Sequence, residues 1–249
     1  MQDTLKKYFW MTYFLLVFLG PVPSFAQVKF SAQIILPGTF TVGSLYTEQG
    51  QGKLAKIDRK KLGGEWWAIC GDGGSFALKK VKVTLKDIPN PHEPLWGDIH
   101  LSTRDCKKVT LLVRGLKVLK PGPLKVGKTK TIDEYRAQLI FNGQEMEIKK
   151  LPFQQVVQDK GIQLRRGEGF RVELSEGKRN QELFKSPTSD QKQEGRIGWL
   201  GDLDRDGKMD FLLFTSRQYS VKQARLFLSS AARGQQIVGE VAMTHWTGI

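Results

Sequence analysis

From Lys80 to Lys86 the chain alternates without a break: Val81, Val83 and Leu85 are apolar, while Lys80, Lys82, Thr84 and Lys86 are polar. A period of two places these sets on opposite faces of an extended strand, because successive side chains point to opposite sides. At 3.6 residues per turn the same residues would scatter around a helix. The row of lysines also discourages a second edge from pairing with this one.

A hairpin is written nearby. Tyr135, Ala137, Leu139 and Phe141 alternate toward Asn142-Gly143, and Met146 and Ile148 alternate away from it. Asn-Gly supplies the positive φ angles of a type I′ turn, which matches strand twist. Further strands are expected at Phe30 to Leu36, Phe40 to Tyr46, Trp66 to Cys70, Val109 to Val113, Phe170 to Leu174, Arg225 to Leu228 and Ile237 to Met243. Thr131-x-x-Glu134 fits a capping box, but strand alternation starts one residue later, so helix evidence is thin. The expected fold is all-β, mainly antiparallel, sandwich- or barrel-like, with few or no helices.

Charge divides the chain unevenly. Gln27 to Lys128 carries 18 basic and 8 acidic residues, whereas Thr129 to Ile249 carries 19 and 16. The Pro-, Gly- and Lys-rich stretch from Lys120 to Lys130 suggests a boundary between a basic N-terminal β lobe, 27–128, and a C-terminal β lobe, 129–249. Pro121-Gly122-Pro123 can equally be a tight turn inside one domain. Lys185 to Gly195 has no apolar periodicity and reads as a solvated loop.

Residues 1–26 have the layout of a secretory signal peptide. Lys6 and Lys7 precede an apolar run from Tyr8 to Leu19, Gly20-Pro21 breaks it, and Ser24-Phe25-Ala26 offers small residues at a cleavage site. The run is short of the ~20 residues that span a bilayer. The expected location is periplasmic or extracellular. There a basic surface meets anionic lipids or envelope polymers before nucleic acid; a solubilising surface with no dedicated partner is the alternative.

The only two cysteines, Cys70 and Cys106, fit an oxidising compartment and are expected to pair; two buried free thiols are the alternative. Neither has a Cys-x-x-Cys neighbour of the kind that binds zinc.

The stretch from Asp202 to Asp210 points to a specific chemistry. Asp202, Asp204, Asp206 and Asp210 occupy positions 1, 3, 5 and 9, Gly207 permits a sharp turn at position 6, and Lys208 offers a backbone carbonyl at position 7. That pattern wraps oxygen around Ca²⁺. Position 12, where an EF-hand has a bidentate Glu, is Leu213. Phe211-Leu212-Leu213-Phe214 reads as a buried strand rather than an exit helix.

The loop resembles the FG-GAP or VCBS type of calcium loop, in which Gly-Asp-x-Asp-x-Asp-Gly-x-x-Asp leads into a hydrophobic strand. In β-propellers of that kind the motif recurs in each blade. Here there is one copy, and Gly71-Asp72-Gly73-Gly74 lacks the spaced carboxylates, so no propeller is implied. Trp199 to Ala232, including Leu226-Phe227-Leu228-Ser229-Ser230-Ala231-Ala232, is similar to the C-terminal part of secreted bacterial proteins that carry one such loop. That likeness implies no activity.

An enzymatic site would have to use His92-Glu93-Pro94-Leu95-Trp96-Gly97-Asp98-Ile99-His100, where two of the three histidines and two carboxylates lie close together. Their spacing matches no catalytic motif with a known mechanism, and the prolines mark a surface loop. Cys70 with His100 as base competes with the disulfide. His245, beside Trp246, reads as a packing or surface residue. There is no Gly-x-Ser-x-Gly elbow, P-loop or His-Glu-x-x-His. Trp66, Trp67, Trp96 and Trp199 can form a carbohydrate-stacking surface, although core packing suits Trp67 and Trp199 better. The expectation is an exported, non-catalytic β-protein with one structural Ca²⁺ loop and anionic envelope polymers or lipids as partners. The alternative is a secreted hydrolase built on His92 to His100.

Overall fold

The computed structural model describes residues 32–35, 38–41, 63–72, 75–88, 98–106, 108–159, 162–186, 195–215 and 221–247. The signal-like residues 1–26, His92 to Gly97, and most of the Lys185–Gly195 loop lie outside them.

The first sheet holds β1 (Gln33–Ile35), β2 (Gly38–Thr41), β3 (Gly64–Asp72), β4 (Ser75–Ile88), β5 (Asp98–Ser102), β6 (Val109–Arg114) and β7 (Gly122–Leu124). Its order is β1-β6-β3-β4-β5-β2, with β7 also on β4. The alternating lysine segment lies within β4, whose Val81 and Val83 are buried while Lys80 and Lys82 are exposed. Cys70 of β3 is bonded to Cys106, closing a loop with a sequence separation of 36. In the chain-entropy picture a closure of that length stabilises the fold by about 4 kcal/mol.

The second sheet is β12 (Arg179–Ser186), β11 (Ile162–Glu176), β10 (Gln144–Asp159), β9 (Arg136–Phe141) and β8 (Lys128–Asp133), in that order. β9 and β10 form the expected hairpin. Phe141 pairs with Gln144, and Asn142 and Gly143 have φ of 50° and 77°. The capping-box residue Thr131 lies in β8 rather than in a helix.

The third sheet runs β13 (Arg196–Gly201), β14 (Asp210–Phe214), β15 (Val221–Leu228) and β16 (Gly239–Thr247) in sequence order. A 3-10 turn at Ser229–Ala231 follows β15 and is the helical element among the described residues. All strand pairs among the described residues are antiparallel. The sheets stay open rather than closing into barrels, so the architecture is sandwich-like.

The third sheet is the middle layer. Leu212, Ala224, Leu226 and Leu228 pack with Ile69, Leu78, Leu111 and Val113 of the first sheet. Phe211, Leu213 and Phe227, from the opposite face, pack with Leu139, Ile148, Phe170 and Leu174 of the second. This is why Phe211-Leu212-Leu213 is a continuous apolar run: a strand covered on both faces needs no polar side. Phe211 stacks on its cross-strand neighbour Phe227 with centroids 5.1 Å apart. The Gln181 side chain ties β12 to the segment before β16. It accepts the N–H groups of Ile237 (2.7 Å) and Val238 (3.0 Å) and donates to the Val238 carbonyl (2.8 Å).

Of the tryptophans, Trp199 is buried in the core between the first and third sheets, and Trp66 is buried on the other face of the first sheet. Trp67 is half-buried, with the Lys80 ammonium 5.4 Å from its ring. Trp96 lies outside the described residues.

Candidate metal centre

The loop from Asp202 to Met209 joins two paired strand ends, since Gly201 of β13 lies opposite Asp210 of β14. Two apolar residues anchor it. Leu203 is fully buried in the core shared with the first sheet, and Met209 is fully buried in the core shared with the second. With these side chains directed inward, the carboxylates between them are left at the rim. Arg205 and Gly207 reverse the chain with φ of 64° and 83°. Asp204 Oδ1 accepts the Asp206 N–H (3.3 Å), and Asp206 Oδ1 accepts the Lys208 N–H (2.8 Å). Such side-chain turns are the local preference of Asp.

Asp202, Asp204 and Asp210 converge, each offering an oxygen within 4.8 Å of the others. Asp206 lies outside that tight group. Lys208 is exposed. Asp202 is 6% exposed; its Oδ2 accepts the Gly207 N–H (3.0 Å), while its buried Oδ1 has no hydrogen-bond partner. Asp210 is fully buried, and burial, then the Asp204 charge, push its pKa up to about 8. The Ser229 and Leu203 N–H groups oppose that shift. The Asp204 carboxyl is also raised, first by burial and then by the Asp206 and Asp202 charges, against the hydrogen bond from Ser230.

Two residues outside the loop complete the site. Ser229 donates its hydroxyl to Asp206 Oδ2 (2.7 Å) and Asp210 Oδ1 (3.2 Å), and Ser230 donates to Asp204 Oδ2. Both sit on the 3-10 turn, so one carboxylate cluster fastens two separate chain reversals. Nothing in the spacing of the acidic residues identified these serines. The usable signal is the pairing of Phe211 with Phe227, which brings the residues after Leu228 alongside Asp210. The loop also meets the segment before β8: the Asp202 N–H donates to the Lys125 carbonyl (3.0 Å), and Arg205 Nη2 donates to the Pro123 carbonyl (3.3 Å).

A cluster of this kind is chemically directed. All candidate side-chain donors are hard carboxylate oxygens, the set preferred by Ca²⁺ and Mg²⁺ over softer metals. Buried carboxylates that repel one another are stabilised by a proton or by a cation.

The other sequence candidates lie on other elements. Asp98 and His100 belong to β5, where His100 pairs with Thr39 and Lys86, while His92 lies outside the described residues. Cys70 is disulfide-bonded and therefore is not a free nucleophile. His245 lies in β16 opposite Gln223. An open cleft of about 500 Å³ beside β8, β9 and the start of β13 is lined by residues including Thr129, Tyr135, Lys150 and Arg196. None of the loop carboxylates lines it.

Comparison with protein-family models, curated proteins and solved structures finds no match to this chain.

Proposed function

We propose that this is an exported, non-catalytic β-protein in which the Asp202–Asp210 loop holds Ca²⁺ as a structural clamp. Its basic N-terminal half makes the contact with anionic envelope material. The observation that carries the clamp is Asp202 Oδ1, a buried carboxylate oxygen with no partner, beside Asp204 and Asp210. Burying an unpartnered ionised oxygen costs several kcal/mol, and a dication in the cluster offsets that cost. Asp202, Asp204 and Asp210 supply oxygens, with Asp206 and the Lys208 carbonyl completing the set suggested by the loop pattern. The resemblance to FG-GAP or VCBS loops supports the same ion. A structural role is supported by the serine contacts: an ion held by these carboxylates would join the β13–β14 loop to the 3-10 turn after β15.

Calorimetric melting with Ca²⁺ and with chelator tests the clamp. A ligand that binds only the native state raises the melting temperature by mass action. The wild type is expected to melt higher in Ca²⁺, and Asp204→Ala plus Asp206→Ala is expected to fold without that shift. An unchanged wild-type melt would remove the clamp.

A further inference from the structure

Between Lys117 and Ile132 the chain carries Lys117, Lys120, Lys125, Lys128 and Lys130 and no acidic residue. All five lysines are exposed, and no ion pair among the described residues engages them. The exposed large hydrophobics among the described residues fall in the same place: Val118 (48%), Val126 (40%), Ile132 (47%) and Tyr135 (45%). Scattered single exposures need no explanation, but confinement of all four to one short stretch does.

The stretch is an edge feature. β7 lies on β4 of the first sheet, Val126 bridges to Gly201 of the middle sheet, and β8 forms the edge of the second sheet. The segment therefore straps across all three layers along one side. From Gly122 to Asp133 an extended chain reaches at most about 40 Å. Every residue of β8 is exposed, on both faces of the strand. The acidic residues that end the stretch do little to cancel its charge, since Asp133 is tied to Arg136 at 2.7 Å, leaving Glu134.

We propose that this strap is a docking ridge for an anionic lipid bilayer. The proposal rests on the reading of the basic half as the anionic contact, and extends it to the first residues of β8. Lysines gain from the negative surface potential of such a membrane, and their stems can lie along it with the ammonium groups at the phosphates. A hydrated polyanion would reward the lysines alone. Valine, isoleucine and tyrosine gain from the headgroup–acyl boundary, where apolar area leaves water and tyrosine rings settle. The interleaving of both residue types thus favours lipid over polymer.

The test is co-sedimentation of the full chain with phosphatidylcholine vesicles, with and without phosphatidylglycerol, alongside binding to soluble polyglutamate. Binding is expected on phosphatidylglycerol vesicles alone and to weaken with salt. Each lysine near the surface is worth roughly a fivefold change, so Lys125→Gln, Lys128→Gln and Lys130→Gln together should weaken binding on the order of a hundredfold. The equal charge change Lys79→Gln, Lys80→Gln and Lys82→Gln should have a much smaller effect. Val118→Ser with Ile132→Ser should weaken vesicle binding but leave any polyglutamate binding unchanged. Circular dichroism establishes that each variant is folded. Equal loss from both lysine triples, or no loss from the strap triple, overturns the ridge. Binding to polyglutamate but not to vesicles overturns the lipid partner while leaving the basic contact half intact. Binding to neither removes both.

Discussion

The Asp210 carboxylate accepts both the backbone N–H of Ser229, at 2.8 Å, and its hydroxyl, at 3.2 Å. The two residues are separated by 19 positions. Their contact converts an acidic loop and a short turn into one unit. The second Asp210 oxygen holds the Leu203 N–H at 2.7 Å, so the same side chain also fixes the start of the loop.

Ser229→Ala and Ser230→Ala should therefore weaken Ca²⁺ binding without touching a proposed ligand. Hydrogen bonds to charged groups contribute about 1.5–3 kcal/mol in protected sites, and exposure of this turn argues for the low end. Titration calorimetry is expected to show roughly a tenfold loss of affinity for the double variant. An unchanged affinity would mean that the loop is organised without the turn.

The raised Asp210 pKa gives a pH dependence in chelator. The folded state holds this proton up to a pH of about 8, whereas an unfolded carboxyl releases it near 3.8. Between those values the native state binds more protons, so this contribution to stability is fully present at low pH and is lost as pH rises toward 8. Metal-free Asp210→Asn should lose that component of the stability–pH curve. Saturating Ca²⁺ should suppress it in the wild type, because the ion replaces the proton. Denaturant melts across the range read both effects.

Adjacent leucines test the middle layer. Leu212 and Leu213 are both buried, yet they enter different cores. Each Leu→Ala change should cost about 2–5 kcal/mol. Since the cavities form on opposite faces of one sheet, the double variant should approach the sum within about 0.5 kcal/mol. Strong non-additivity in chemical denaturation would contradict independent cores.

Removing the cross-link by Cys70→Ser with Cys106→Ser should cost about 2–5 kcal/mol. The Ca²⁺-dependent rise in melting temperature should survive, because the disulfide belongs to the first sheet and the acidic loop to the third. Loss of that rise would link the two sites.

What was legible in the sequence was local. Asn142-Gly143 fixed a two-residue hairpin because its backbone angles follow from those residue types. The alternation around Val81 and Val83 gave the strand and its two faces. β8 was harder. Thr131-x-x-Glu134 offered a helix start, but Thr131 instead pairs with Ala137 in an edge strand. The end of β10, from Gln154 to Asp159, lacks alternation, yet Val156, Val157, Gln158 and Asp159 pair with Arg165, Leu164, Gln163 and Ile162 of β11.

The sequence by itself determined the all-β class and the run of carboxylates, since each depends on residue type and short spacing. It also required Phe211-Leu212-Leu213 to be buried. Only the tertiary structure decided what buries it, how Leu203 and Met209 divide between two cores, and that Ser229 and Ser230 reach the carboxylates. These relations join residues distant in the chain. They are set by sheet stacking and strand register, which no local pattern records.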